Sequence, residues 1–320
     1  MTTETVLVTG GAGFIGSAMA ERLLDTGREV VVVDNLSTGG RENVPAGATL
    51  VAGNTADPAT YEEVESVSDV DAVFHLAGQS SGEASFDDPA ADLESHVTGT
   101  FELLRWCRER DIDRLLYASS MSIYGDPRYL PVDESHPSDP KTFYAAGKRG
   151  AEAYVRLFDN LGTETTVFRL FSVYGPGQNM TNMKQGMVSI FLSFCLDDGP
   201  IVVKGPLDRF RDFVYVDDVV DAWVRALDEQ ATYGETYNLG RGERVTVDEL
   251  LETMGEVYDG DRGPVEVTDG TPGDQFGIFA DATRLRRDLD WEPSVGLREG
   301  LTRMVRSATG EPERHGPLDS

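Results

Sequence analysis

Along the first half of the chain, short apolar runs alternate with longer segments whose apolar residues recur every three or four positions. The runs "TVLVTG" (5–10), "EVVVVD" (29–34), "ATLVAG" (48–53), "DAVFHLAG" (71–78), "RLLYASS" (114–120) and "TTVFRLFSVYG" (165–175) read as strands. Near-continuous apolarity marks strands covered on both faces, as in a parallel sheet. Helices are expected at 13–27, closed by Gly27, at 58–67, from Pro89 to Arg110, and from beyond Pro140 to about Leu161. Strands separated by helices in this order predict an α/β fold, a doubly wound parallel sheet.

From about Ser172 the rhythm breaks into loops rich in Gly, Pro and polar residues, with shorter helices near 185–197, 217–229, 246–259, 281–288 and 296–307. This reads as a smaller, irregular C-terminal lobe, the chain crossing back to the sheet around 212–240. The polar stretch 308–320 is expected to be a disordered tail.

"TGGAGFIGS" places Gly10, Gly13 and Gly16 directly between the first strand and the first helix. Glycines there allow a tight turn and let backbone N–H groups approach a pyrophosphate at the helix N-terminus, where Phe14 and Ile15 begin the helix. Eighteen residues after Gly16, Asp34 ends the second strand, followed by Asn35. An acid there accepts both ribose hydroxyls of NAD and repels the extra phosphate of NADP. The expected cofactor is NAD. The expected organisation is an NAD-binding Rossmann domain of 1–171 and 212–240, with a substrate lobe of 172–211 and 241–307.

"FYAAGK" (143–148) sets Tyr144 and Lys148 four apart, the spacing that stacks side chains on one helix face. Lysine is scarce: the four are Lys141, Lys148, Lys184 and Lys204. A cation held beside a phenol favours the phenolate and brings the tyrosine pKa down.

Charge narrows the partners. With 28 basic and 56 acidic residues the net charge is −28. Such a field repels nucleic acid and anionic membranes. It resembles the acidic, lysine-poor surfaces of proteins from salt-loving microbes, where salt screens self-repulsion. No run of 18 apolar residues is present, so no membrane span is expected. The N-terminus enters a strand without a leader pattern, which points to the cytoplasm. Cys107 and Cys195 read as small packed hydrophobes. His75, His96, His136 and His315 lack metal-ligand spacing, so no metal is expected.

Together these pieces resemble the extended short-chain dehydrogenase/reductase family, and within it the nucleotide-sugar epimerases and dehydratases. The resemblance runs from Val6 to about Leu301 on "VTGGAGFIG", "VVVDNLSTG", "HLAG", "DPAADLESHVTGT", "ASSMSIYGD", "YAAGK", "RLFSVYGPGQ", "RDFVYVDDVVDA" and "YNLGRG". It implies that Tyr144 is the acid/base, that Lys148 binds the nicotinamide ribose and lowers the tyrosine pKa, and that Ser120 hydrogen-bonds the reacting hydroxyl. Ala77 and Gly78 would line the cofactor groove; Arg211 would grip a substrate diphosphate, with Ser122, Ser172 and Asp274 also on the substrate. The residues alone leave Ser120 open as a strand-end hydroxyl serving local backbone, and Arg211 as a surface ion pair with Asp208 or Asp212.

Four positions depart from the family pattern. His96 stands for an Asn in "NVxGT", Asn54 for an Asp after the third strand, Ser172 for an Asn before "VYGP", and Thr271 for the Arg of "RPGD". Asn54 or Asp57 is then expected at the adenine, and Thr271 removes one of two cations expected at the diphosphate. His75 belongs to "HLAG" and is expected in the core.

The two positions after Ser120 separate the family's reactions. The 4,6-dehydratases carry Asp-Glu there, whereas this chain has Met121 and Ser122. The resemblance therefore implies a 4-epimerase acting on a UDP-hexose through a 4-keto sugar, a cytoplasmic homodimer. The alternatives are a nucleotide-sugar dehydrogenase/reductase, a 4,6-dehydratase, or an NAD-binding sensor without catalysis.

Overall fold

The structure is a computed structural model and describes residues 4–197, 199–258 and 264–310. Seven parallel strands form its centre: β1 (Thr5–Thr9), β2 (Glu29–Asp34), β3 (Thr49–Ala52), β4 (Ala72–His75), β5 (Arg114–Ser120), β6 (Glu164–Leu170) and β7 (Glu235–Leu239). Their order across the sheet is β7-β6-β5-β4-β1-β2-β3. The direction of winding reverses between β1 and β4, where open α/β sheets bind ligands.

The apolar runs explain the layers. Alternate side chains of a strand point to opposite faces. Val6, Val8, Val30, Val32, Phe74 and Leu116 therefore pack on one side, against Met19 and Leu23 of α1 (Phe14–Asp25) and Trp223 of a helix at Val216–Asp228. Leu7, Val31, Val33, Val73 and Leu115 pack on the other. There they meet α2 (Pro58–Val67), a helix at Gly99–Glu109 and a helix at Phe143–Asp159. Both faces are covered, as the lack of alternation requires.

The helix expected from Pro89 to Arg110 is one rod in three pieces: α3 (Pro89–Leu93), a wider π-type turn at Glu94–Thr98, and α4 (Gly99–Glu109). Such an insertion shifts the helical register by one residue and often marks a functional site. Here it carries His96 inward, where the ring is buried.

The expected strand 165–175 splits. Glu164–Leu170 stays in the sheet, while Ser172–Tyr174 turns away to pair with Phe213–Tyr215. The crossing back expected around 212–240 delivers β7, at Glu235–Leu239, to the sheet edge beside β6. The helix expected beyond Pro140 is α5 (Phe143–Asp159), and the five short helices expected after Ser172 are found as α6 (Met187–Leu196), α7 (Val216–Asp228), α8 (Val247–Val257), α9 (Thr283–Leu289) and α10 (Leu297–Thr309). Two further strand pairs were not expected: Ile201–Lys204 with Val265–Thr268, and Phe210–Arg211 with Val245–Thr246. Residues 308–310, expected in the tail, close α10. The remaining tail, His315 and the end of the helix expected to reach 259 lie outside the described residues.

Candidate active site

At the carboxyl ends of the strands opens a cleft of about 1320 Å3. Its walls bring together the residues singled out from the sequence for cofactor, chemistry or substrate, apart from Asp57. Gly10, Gly13, Phe14, Ile15, Gly16, Asp34, Asn35, Asn54 and Ala77 line one half; Ser120, Ser122, Tyr144 and Lys148 lie at the middle; Ser172, Arg211 and Asp274 line the other half.

The first half is made by close approach of backbone. Gly10 has φ +72°, and a Cβ there would sit 2.7 Å from the Ala77 nitrogen. A Cβ on Gly16 would sit 2.1 Å from the Gly10 carbonyl oxygen. At Gly13 a Cβ would meet only that same oxygen, at 3.2 Å, so this side of the turn stays open. Gly13 caps α1 with no side-chain partner and no acid follows in the first turn, which leaves the first N–H groups and the positive end of the helix dipole for an anion. Asp34 is buried and accepts from Ala12 N (3.0 Å) and Leu36 N (2.8 Å). Leu36 has φ +57°, a costly left-handed conformation for a branched residue that this carboxylate helps hold. Glycine turn, bare helix end and buried acid fit the pyrophosphate and ribose of a dinucleotide. Asn54 lines the same half and donates to Glu94 (3.1 Å). Asp57, the other residue expected at the adenine, caps α2 through Ala59 N (3.0 Å) and does not line the cleft.

Tyr144 and Lys148 stand one turn apart on α5, both facing the cleft. One turn further, buried Glu152 takes a two-pronged pair from Arg169 of β6, 3.0 Å at each prong. This pair anchors α5 to the sheet and fixes which face it presents. Lys148 is buried, donates to the Ala118 carbonyl (2.7 Å) and lies 5.1 Å above the Tyr117 ring. Burial pulls its pKa down to about 8, with Asp92 and Glu152 opposing. The lowered tyrosine pKa expected from Lys148 is not what the protein alone produces. Burial pushes the Tyr144 phenol above its ordinary value, and the hydrogen bond with Ser120 opposes this in part.

Ser120 serves the local backbone, one of the two roles left open for it. Its Oγ accepts from Ser122 N (3.2 Å) and Ser122 Oγ (3.0 Å), capping the turn Met121–Tyr124, and it also reaches Tyr144. His96 lies edge-on to Tyr144, ring centres 5.3 Å apart, and packs over Gly78 and Gly147. Its Nε2 is 3.3 Å from Asp92, and burial drives its pKa down to about 4. His75 is core, as expected: buried between Thr9 (2.7 Å) and Thr100 (2.9 Å), its pKa is pushed down to about 3.

The other half of the cleft is assembled from distant segments. Arg211 is buried and pairs with Asp274, not with Asp208 or Asp212. Asp212, its neighbour on the opposite strand face, is itself buried and accepts from Arg241 N (2.8 Å), Gly242 N (2.9 Å) and Ala280 N (3.1 Å). Burial raises its pKa to about 6. Three lining residues escaped the sequence reading: Arg209, which shares Asp274, Lys204, which pairs with Glu83 (2.7 Å), and Lys184, which pairs with Asp87 (2.6 Å). The scarcity of lysine was the signal that could have found two of them, because three of the four lysines line this cleft.

A parallel sheet with a dinucleotide cradle beside a Tyr-x-x-x-Lys helix defines a nucleotide-dependent oxidoreductase scaffold. Residues 6–240 match the NAD dependent epimerase/dehydratase family. The chain belongs to that family, and its cofactor is NAD. It is 35% identical over 312 residues to the UDP-glucose 4-epimerase of Mycolicibacterium smegmatis, covering 93% of this chain and 96% of that one. The crystal structure of UDP-glucose 4-epimerase with UDP-glucose from Thermotoga maritima superposes with a TM-score of 0.91 at 33% identity, covering 96% and 99% of the two chains. The Thermus thermophilus UDP-glucose 4-epimerase complex with NAD gives 0.89 at 34% identity over the same shares.

Proposed function

We propose that this enzyme interconverts UDP-hexoses that differ in configuration at C4. The observation that carries the reading is the chemistry around Ser120 and Tyr144. Both can hold or move a hydroxyl proton, and the turn that follows presents Met121 and Ser122, not a carboxylate pair. Of the lining carboxylates, Asp274 is held by arginines, Glu83 by Lys204 and Glu94 by Asn54. Water elimination needs a second acid/base at the sugar, and redox epimerisation does not.

Gly10, Gly13, Gly16, Asp34 and Asn54 hold the dinucleotide in this reading, and Lys148 its nicotinamide ribose. A bound NAD supplies reversible oxidation of a carbinol. Tyr144 takes the proton of the C4 hydroxyl, which Ser120 orients. With NAD bound, Lys148 and the positive nicotinamide ring would together oppose the burial that otherwise keeps Tyr144 protonated. The 4-keto sugar turns while Arg211 keeps its diphosphate in place, so that the hydride bound NAD would have taken from C4 would come back to the other face of C4, and Tyr144 returns the proton to O4. A cleft of about 1320 Å3 has room for both molecules. The 1–171 and 212–240 segments serve the cofactor and 172–211 and 241–307 the sugar nucleotide. Incubation with UDP-glucose, followed by NMR, should show UDP-galactose accumulating to a fixed ratio. Sustained growth of absorbance at 340 nm would favour a dehydrogenase instead.

We also infer a homodimer in a salt-rich cytoplasm. Leu157 and Leu161 are 57% and 58% exposed near Phe101 and Tyr154, whose rings pack 5.7 Å apart across α4 and α5. Two such apolar patches facing each other would leave water. Molar salt would screen the net charge of −28. Sedimentation should give a dimer in molar KCl. A monomer at all salt concentrations rules out this interface, and an unchanged thermal midpoint between dilute buffer and molar KCl rules out the salt adaptation.

A further inference from the structure

The far wall of the cleft holds an unbalanced cluster of charge. Arg209 and Arg211 are two apart on one extended segment, so their side chains emerge on the same face. Arg209 is 7% exposed and Arg211 4%. Both reach the carboxylate of Asp274, Arg209 through Nη1 to Oδ2 and Arg211 through Nη2 to Oδ1. Arg211 is otherwise well satisfied, donating to the carbonyls of Phe210 (2.7 Å) and Gln275 (2.8 Å). Arg209 is not: its buried Nε has no hydrogen-bond partner.

Two guanidiniums on one carboxylate leave a surplus positive charge in a place largely shut off from water, and buried charges are ordinarily balanced. Burial and Arg211 both press the Arg209 pKa downward, with Asp274 opposing. The remaining lysines nearby do not explain the surplus, since Lys184 and Lys204 are matched to Asp87 and Glu83. Across the same wall Thr271 lines the cleft without a charge.

We propose that Arg209 is the second cation of the diphosphate seat, so that Arg209 and Arg211 together take the two phosphates of the sugar nucleotide while Asp274 holds their guanidiniums side by side. The charge that position 271 lacks is thus supplied from the strand at position 209. Asp274 makes the pair rigid, and the guanidinium of Arg209, which lines the cleft, has donors beyond the one spent on Asp274 for a phosphate oxygen. This inference rests on the nucleotide-sugar reading above.

Calorimetric titration of the NAD-loaded protein with UDP and with uridine tests it. Arg209→Gln should weaken UDP binding roughly 10- to 100-fold, as for loss of a hydrogen bond to a charged group, while uridine binding changes less than about 3-fold. Adding Thr271→Arg to Arg209→Gln should recover most of the lost UDP affinity, because the cation returns to the same wall. UDP binding by Arg209→Gln at native strength, or equal losses for UDP and uridine, would overturn the assignment. If Arg209→Gln loses its NAD through misfolding, Arg209→Lys decides the question: it should lose more affinity for UDP than for uridine, and equal losses again overturn it. Failure of the native protein to bind UDP at all is a different result, which removes the nucleotide-sugar reading itself.

Discussion

The two halves of the cleft are built by different means. The cofactor half consists of main chain at the ends of neighbouring strands: the Gly10–Gly16 turn, the Asp34 corner and the Ala77 loop, each within a few residues of an apolar run. The substrate half consists of charged side chains that meet only in three dimensions. Asp274 is 63 residues from Arg211, and Lys204 reaches Glu83 across 121 residues. Lys184 and Lys204 also tie the lobe to the loop after β4. Binding by backbone demands glycines at fixed spacing, which leaves a signature. Binding by side chains demands only that some residue of the right charge arrives, and several positions can provide it. That is how Thr271 can stand where a cation is expected while Arg209 carries one nearby.

If the halves bind and the helix between them does chemistry, Tyr144→Phe should separate the two roles. Turnover of UDP-glucose should fall at least about 1000-fold, in the range for loss of a positioned acid/base. Bound NAD and UDP affinity should stay near native. A variant that still epimerises at close to the native rate would place the proton transfer elsewhere.

A smaller effect is expected where backbone and side chain cooperate. Asp34→Ala removes the acceptor for Ala12 N and Leu36 N together with the carboxylate proposed to face the ribose. NAD should bind roughly 10- to 100-fold more weakly, and the preference over NADP should narrow. Fluorescence titration with both dinucleotides checks this; an unaltered NAD/NADP ratio would mean that Asp34 is a turn-holding residue only.

Much of the cofactor half was legible beforehand, and the reason is local. The runs around Val6, Val31 and Val73 had to be two-sided strands, and the glycine turn had to follow the first of them. The Tyr144–Lys148 spacing was legible for the same reason. What it did not convey is the third member of that helix face, Glu152, whose pairing with Arg169 depends on β6 lying alongside. Nor could spacing say that Lys148 would turn to the Ala118 carbonyl. The short pairings of the lobe were illegible because strands such as Phe210–Arg211 are too brief to show a period. The π-type turn was hidden as well: a continuous helical pattern from Pro89 to Arg110 carries no mark of one extra residue.

That turn gives the mildest test, because it places a titratable ring between the two halves. His96 and His75 have folded pKa values of about 4 and about 3, both below the ordinary 6.5. Folded protein keeps them neutral, whereas unfolded chain takes up protons below 6.5. The stability they contribute is therefore complete above pH 6.5 and is lost as the pH falls toward 4 and 3. Asp212, with its pKa raised to about 6, runs the other way and gains stability on acidification between about 6 and its ordinary 3.8. A native acid profile mixes these signs, so the informative quantity is a difference. His96→Asn removes one titrating ring from the contact with Tyr144, Gly78 and Gly147. Whatever it costs at pH 7, that cost should shrink by about 1–2 kcal/mol at pH 5, since each unit of separation between the two pKa values is worth about 1.36 kcal/mol. Urea unfolding of both proteins at the two pH values measures it. A cost independent of pH would mean that His96 is solvated or charged in the folded protein, and the tight contact between the turn and the Tyr144 ring would have to be abandoned.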